Sequence, residues 1–483
     1  MADPLDGMSE VEQALELAAQ LSREYVDGVG EDPVQPPGSE ERVMALGGGL
    51  PEEGVGALAP LRELGELGSD LATRSSGGRF FHFVVGGTTP AALAADWLTS
   101  ALDQNSGLWA SSPLGSRLEA IAVDWLRDLF ELPPELRGAL VTGGTMANFT
   151  CLAGARSWWA ERHGLDIDED GLAGAPAIPV FTSGHIHQSA TKSLGLLGAG
   201  RSAIRKCVRD EYGNLDLAQL EAGLLGLDGA PAILVATAGE PNAGAFDPIA
   251  EMADLAERHG AWLHVDGAFG LFARLSTRTR QLTDGVERAD SVSSDGHKWL
   301  NVPHDCGFAF VREQRYLLKA FSEAAAYLPA TSEERPSVAY ISAEGSRRAR
   351  AFTVWATLKA YGRDGYRAMV ERHLDIAEHL AARVDAEPEL ERLADVQLNV
   401  VTFRLRPDGV PEDELDELNS GLGAELLRDG RVFAGTTIYG GRVAFRPAMV
   451  NWRTREADVD LLVDVLLELA ARSRSPRAPR ARA

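Results

Sequence analysis

The chain has 483 residues, with 71 acidic against 47 basic side chains and a formal charge of −24. That length suits two or three domains around a large core. So acidic a body argues against a binder of nucleic-acid backbones and against docking on an anionic membrane.

No apolar run reaches the roughly 18 residues a bilayer span needs. Met1 to Glu10 carries Asp3, Asp6 and Glu10 with no basic cluster or apolar stretch, unlike a secretory signal. Cys151, Cys207 and Cys306 are odd in number and far apart. They read as core residues of a cytoplasmic protein, without a disulfide framework or a cysteine-rich metal site.

Residues 1–75 read as an N-terminal helical arm, with apolar positions at helical spacing from Val11 to Tyr25. This arm is too small for its own core and is expected to pack on the main body or on a second subunit. From 76 to 365, short β-prone runs alternate with helical stretches. Strands are expected at 139–142, 178–181, 203–208, 232–236, 262–265 and 308–311. Helices are expected at 146–159, from Gln188, at 215–224 and at 249–259. This alternation predicts an α/β fold, a mostly parallel central sheet with helices on both faces. In such sheets ligands sit at the carboxyl ends of strands. Residues 366–471 read as a smaller C-terminal α+β domain. A helical stretch at 351–361 leads into it; its own helical stretches lie at 365–386 and 456–472, and its strands near 396–405 and 442–446. Residues 472–483, rich in arginine and proline, read as a disordered tail.

Four local features carry chemistry. Asp295-Gly296-His297-Lys298-Trp299 presents a lysine between bulky neighbours, where desolvation favours a nucleophilic amine; a lone lysine is equally an ordinary surface group. Asp266, at the end of the strand His264-Val265-Asp266, pairs with a cation or caps a helix. Thr142-Gly143-Gly144-Thr145-Met146-Ala147-Asn148 joins a strand to a helix, and its free N–H groups suit an anion. Its spacing is neither the dinucleotide nor the Walker pattern. His187, in His185-Ile186-His187, lacks partners for a metal set and suits stacking on a planar ring instead. An anion cradle, a stacking imidazole, a carboxylate for a pyridinium nitrogen and an aldehyde-capturing lysine are what pyridoxal 5′-phosphate (PLP) needs.

These motifs, with Thr237-Ala238-Gly239, Asn242 to Pro248 and Ser346-Arg347-Arg348, resemble those of the group II PLP-dependent amino-acid decarboxylases. That family includes the aromatic-L-amino-acid, glutamate, histidine and diaminobutyrate enzymes, and the resemblance spans roughly 80–469. It implies the PLP-dependent transferase fold type I, aspartate aminotransferase-like, and a homodimer with its active site at the interface. It implies decarboxylation of an L-amino acid through a lysine Schiff base and a quinonoid intermediate. By this resemblance Lys298 is the Schiff-base lysine, Asp266 the pyridinium partner and His187 the stacking residue. Gly144, Thr145, Met146 and Ala147 form the phosphate turn, Asp295 and His297 flank the lysine near the phosphate, and Thr237 and Ala268 line the ring.

The family's proton donor is a tyrosine on a mobile loop. Here residues 329–345 read as that loop and Tyr340 as the catalytic tyrosine, although some relatives place theirs where this chain has Val338. Phe81 and Phe83, in Phe80 to Gly87, and Trp109 are expected to wall the substrate pocket, which suits an aromatic or hydrophobic side chain. Three phenylalanines in four positions suit a strand core equally well. The chain departs from relatives at Asp295, Glu240 and His304, which bears on substrate identity. Asn451 and Thr454 match a C-terminal signature of unassigned role. The alternatives are an aldehyde synthase, an aminotransferase or a lyase on the same scaffold. A catalytically silent scaffold is disfavoured by the joint presence of Lys298, Asp266 and His187.

Overall fold

The computed structural model describes residues 10–322, 332 and 334–474. The end of the expected tail, from 475 on, and residues 329–331 and 333 of the expected loop lie outside them.

Apolar runs form the strands β1 (Arg137–Val141), β2 (Val180–Thr182), β3 (Ile204–Lys206), β4 (Ile233–Thr237), β5 (Trp262–Asp266), β6 (Ser291–Asp295) and β7 (Gly307–Val311). They make one sheet in the order β1-β7-β6-β5-β4-β2-β3. β7 pairs antiparallel with both β1 and β6, and the other pairings are parallel. β2, β4, β5 and β6 are buried along their whole length. That is the pattern of a sheet covered on both faces. Register aligns the ends that matter: Thr237 faces Asp266, Asp266 faces Ser293, and Asp295 faces Gly307. The carboxyl ends of β1, β2, β4, β5 and β6 therefore open on one crevice.

A second sheet, antiparallel, is built from β8 (Leu390–Arg392), β9 (Phe403–Leu405), β10 (Thr436–Tyr439) and β11 (Arg442–Phe445), in the order β10-β11-β9-β8. The strand expected across 396–405 shrinks to β9. Asn399 turns inward there, its Nδ2 donating to the carbonyl of Met449 at 2.9 Å. The stretches expected at 351–361 and 365–386 are one helical run, Ala351–Ala386, interrupted at Gly362 (φ 60°, ψ −176°). That left-handed φ is open to glycine at no steric cost. Along this helix the core changes hands. Leu374 packs with the large sheet's cluster, and Ile376 with the small sheet's cluster.

In the arm, the helix Val11–Gly28 buries no residue completely. It packs on the helix Leu58–Leu71, where Gly65 lies under Leu21. Val11 and Leu15 remain 52% and 63% exposed. No helix among the described residues is long and apolar enough to cross a membrane.

Candidate active site

Lys298 sits in a tight kinked turn, Gly296–Leu300, directly after β6, its own backbone non-helical at φ −89° and ψ −107°. Its Nζ lies 3.2 Å from Asp295 Oδ2 and 5.9 Å from the centre of the Phe269 ring. The lysine is thus paired with a carboxylate that is itself buried. Asp295 Oδ1 is 3.6 Å from His297 Nδ1. That nitrogen donates to the carbonyl of Cys306 at 3.0 Å, which fixes the ring. Burial lowers the His297 pKa; Asp295 opposes this, and His304, stacked on it at 4.3 Å, reinforces it.

The amine opens into a cavity of about 160 Å³ lined by Phe83, Val84, His187, Thr237, Asp266, Phe269 and Arg446, among others. Asp266, 3% exposed at the end of β5, accepts from Asn148 Nδ2 at 2.9 Å and from the Ala268 amide at 3.2 Å. His187 follows β2 at the start of the helix Gln188–Leu196. Its Nδ1 accepts from the Ser189 amide at 3.2 Å and lies 2.7 Å from Ser189 Oγ. Partial enclosure pulls the His187 pKa below its ordinary value, Asp266 opposing and Lys298 adding to the effect.

After β1, Gly143 takes φ 147° and the helix Gly144–Arg162 begins with no side chain capping it. Its first amides are therefore available to an anion. Ala147 is the exception, since its amide closes the first turn on the carbonyl of Gly143 at 2.8 Å. A Cβ on Gly144 would lie 2.5 Å from Asp295 Oδ2, so glycine is what lets turn and carboxylate meet.

The structure brings together Gly144, Thr237, Asp266, Ala268, Asp295, His297, Lys298, His187 and Phe83 at one crevice, with Thr145, Met146 and Ala147 following Gly144 in the first turn of its helix. It does not bring Phe81, Trp109 or Tyr340 to the cavity wall. Phe81 is 1% exposed and packs in the small-sheet core. Its amide bonds to the carbonyl of Phe433. This corrects the expectation that it walls the pocket. The chain bends just after it, where Phe83 and Val84 both take φ 58°. Phe83 swings to the cavity and is 61% exposed, while Phe81 stays inside. Trp109 lies on another loop, its amide donating to Ser337 Oγ at 3.2 Å. Tyr340, 8% exposed, ends a short 3-10 turn, Val338–Tyr340, whose Ala339 amide donates to the carbonyl of Gly107.

Glu240 closes its own turn, accepting from the amides of Asn242 and Ala243. Asn451 and Thr454 bind the backbone of 76–78: Asn451 Nδ2 donates to Ser76 and Gly77, and Thr454 Oγ1 to Gly78. Arg446, at the end of β11, was not foreseen. It reaches the cavity from the small sheet, with Nη1 on the carbonyl of Pro241 at 3.0 Å. Nothing local in its sequence marks it.

The residues fit PLP. Thr237 Oγ1 and Asp295 Oδ1 are buried in the crevice without a hydrogen-bond partner, beside an amine, a carboxylate, an imidazole and an uncapped helix start. Buried polar atoms left in this way call for a polar ligand.

A family model for the pyridoxal-dependent decarboxylase conserved domain matches residues 70–406. The chain belongs to this family. It is 32% identical over 427 residues to an L-2,4-diaminobutyrate decarboxylase of Rhizobium meliloti (strain 1021), covering 87% of this chain and 83% of that one. It is 28% identical over 429 residues to an aromatic-L-amino-acid decarboxylase of Bacillus atrophaeus, covering 87% and 86%. Among solved structures, Oryza sativa TDC with PLP and tryptamine superposes with a TM-score of 0.88 at 26% identity, over 98% of this chain and all of that one. The protein is therefore a PLP-dependent amino-acid decarboxylase, a carboxy-lyase, of fold type I.

Proposed function

We propose that this decarboxylase acts on an L-amino acid with an aromatic or hydrophobic side chain, releasing the amine and CO2. The observation that carries the reading is the apolar wall facing Lys298, made by Phe83, Val84, Pro241 and Phe269. An apolar wall favours an apolar side chain in proportion to the area it removes from water. Arg446 adds one cation to that wall and suits the substrate's carboxylate.

In this reading Lys298 is the residue that would hold PLP. Asp295, 3.2 Å away, keeps the free ammonium in place. Asp266 would keep a proton on the ring nitrogen, because a neighbouring carboxylate favours the charged form. His187 would lie against the ring, and the free amides of the turn at Gly144, Thr145 and Met146 would hold the phosphate, with Ala147 closing that turn and His297 flanking the lysine. Thr237 and Ala268 line the ring. The cofactor supplies an electron sink for the bond broken at Cα. Apolar walls exclude water, so that the departing carboxylate loses its hydration.

Returning a proton to Cα needs an acid, and Tyr340 is the one assigned. Because Tyr340 and Trp109 stand off this protomer's wall, the reading places them toward a second copy. It therefore includes a homodimer, which also covers the apolar face of the arm.

The test is a panel of L-amino acids with the PLP-loaded enzyme, quantifying CO2, amine, aldehyde and peroxide. Stoichiometric amine and CO2 from an aromatic or aliphatic substrate, abolished in Lys298→Ala, supports the reading. Turnover confined to acidic or diamino acids overturns the substrate class. Aldehyde with peroxide, or transamination without CO2, moves the protein to those chemistries. Tyr340→Phe is expected to cut amine formation about a hundredfold, the scale of a lost general acid; wild-type turnover removes Tyr340 from the reaction.

A further inference from the structure

We propose that Asn148 is a positioning residue that sets Asp266 and His187 together, its single side-chain amide tying both to one buried hydrogen-bond chain of fixed direction. The proposal rests on the roles of Asp266 and His187 given above.

Asn148 is fully buried near the start of the helix Gly144–Arg162. Its Nδ2 lies 2.9 Å from Asp266 Oδ2 and 3.0 Å from Ser189 Oγ. Its Oδ1 lies 2.7 Å from His264 Nε2 and 2.9 Å from Ser293 Oγ. The directions follow from what each group can do. An ionised carboxylate only accepts, so the amide nitrogen faces Asp266. Oδ1 must then accept, which places protons on His264 Nε2 and on Ser293 Oγ.

With its proton on Nε2, His264 accepts at Nδ1, from Ser291 Oγ at 2.9 Å. Ser291 Oγ in turn accepts from Trp262 Nε1 at 3.0 Å. In the other direction, Ser189 Oγ receives the second N–H of Asn148 and gives its own proton to His187 Nδ1 at 2.7 Å. His187 is left with its proton on Nε2. The chain runs in one sense from Trp262 through Ser291, His264, Asn148 and Ser189 to His187, and branches to Asp266.

Burial keeps His264 neutral, its pKa pulled down to about 4, as the chain requires. All hydrogen-bonding capacity drawn on at Asn148 is met by buried partners. A flipped amide would set its oxygen against the Asp266 carboxylate. The amide therefore does two things at once: it donates to the ionised form of Asp266, and through Ser189 Oγ it reinforces the Ser189 amide in keeping the His187 proton on Nε2. The sequence carried Asn148 inside the glycine-turn motif without a role, because its partners come from three other segments, the helix Gln188–Leu196, β5 and β6.

The test uses Asn148→Leu and Asn148→Asp. Three quantities are measured: the PLP dissociation constant by dialysis of the apoprotein, the pH dependence of the visible absorbance of the PLP-loaded protein, and the melting of the apoprotein. Both variants are expected to weaken PLP binding about tenfold or more, the scale of a hydrogen bond to a charged group. Both are also expected to displace the absorbance transition in pH, Asn148→Asp the further because it sets a second carboxylate against Asp266. A wild-type dissociation constant, or weaker binding with an undisplaced pH curve, overturns the proposal.

Should these variants fail to fold, the double variant His264→Gln/Ser293→Ala leaves Asn148 in place but removes the donors that orient it. The same displacement is expected, and a wild-type curve overturns the proposal. Ser189→Ala cuts only the branch to His187 and is expected to lower kcat about tenfold with PLP affinity kept; wild-type kcat overturns that branch. Asp266→Asn is run separately. If it leaves PLP binding and the absorbance curve unchanged, the assignment of Asp266 falls, and not that of Asn148.

Discussion

Gly86 lies against the backbone of Lys298. Its amide donates to the carbonyl of His297 at 3.0 Å, and a Cβ at that position would overlap the carbonyl oxygen of Lys298. The segment after the phenylalanines is thus a wedge under the lysine turn. Gly86→Ala is expected to push that turn aside. The expected cost is about 1–3 kcal/mol of stability, as for other overpacked sites, with PLP capture lost. Thermal melting and absorbance titration with PLP check it; a variant that melts and takes up PLP like wild type contradicts the contact.

Phe81 and Phe83 separate by the same geometry. Phe81→Ala opens a hole in the small-sheet core and is expected to cost about 3–5 kcal/mol. Phe83→Ala is expected to leave the melting temperature nearly unchanged while raising KM for the best substrate and altering the order of substrates. Measuring both variants for melting and for KM tells a core residue from a wall residue.

Much of this site was legible in the sequence, and the reason is local. Lys298, His187 and Gly144 each stand just beyond the carboxyl end of a strand and Asp266 is the last residue of its own, so an apolar run followed by a polar turn located them. The parallel sheet followed from the alternation of such runs with helices. What failed was alternation at Phe81 and Phe83. Two residues apart, they belong on one face of an extended chain, but the left-handed backbone at Phe83 and Val84 turns them to different places. Arg446 and Asn148 escaped for another reason. Their partners lie far away in sequence, as with Asn148 and Ser293, 145 residues apart.

Arg347 and Glu119 form an ion pair at 2.8 Å, with side chains 0% and 2% exposed. Arg347 also donates to the carbonyl of Leu140 in β1, and so anchors the segment after Tyr340 beneath the glycine turn. Removing one partner leaves a buried charge alone. Arg347→Met is expected to cost about 3–5 kcal/mol, and Arg347→Met with Glu119→Leu to recover most of it. Urea midpoints of the four proteins in this cycle decide it; a double variant no more stable than Arg347→Met contradicts the pairing.

His373 is fully buried between Trp299, whose Nε1 donates to its Nδ1 at 2.7 Å, and the carbonyl of Asn451 at 2.9 Å from its Nε2. Burial pushes its pKa down to about 3, with Arg372 adding to the effect. The folded state therefore keeps this ring neutral while the unfolded chain, near 6.5, takes up a proton. Its stabilising contribution is complete above about 6.5 and is lost as pH falls from there toward about 3. His264 and His82, both pulled to about 4 chiefly by burial, act in the same sense. Asp290, pushed up to about 6 by burial, acts oppositely between about 4 and 6. His373→Gln isolates one contribution. The difference in melting temperature between wild type and variant is expected to shrink as pH drops from 7 to 4.5; a difference independent of pH contradicts the assignment.

The lysine turn is completed from the far end of the chain. Asn301 Nδ2 donates to the carbonyl of Val450, the Trp452 amide donates back to Asn301 Oδ1, and Asn451 and Thr454 grip residues 76–78. Residues 76–78 and 450–454 thus meet behind Lys298. During synthesis on the ribosome the glycine turn, His187, Asp266 and Lys298 all emerge long before the residues that brace them. Until residue 454 has been made, the nascent protein has the chemical groups of its centre but not their support. A chain stopped before residue 450 would lack every one of these braces.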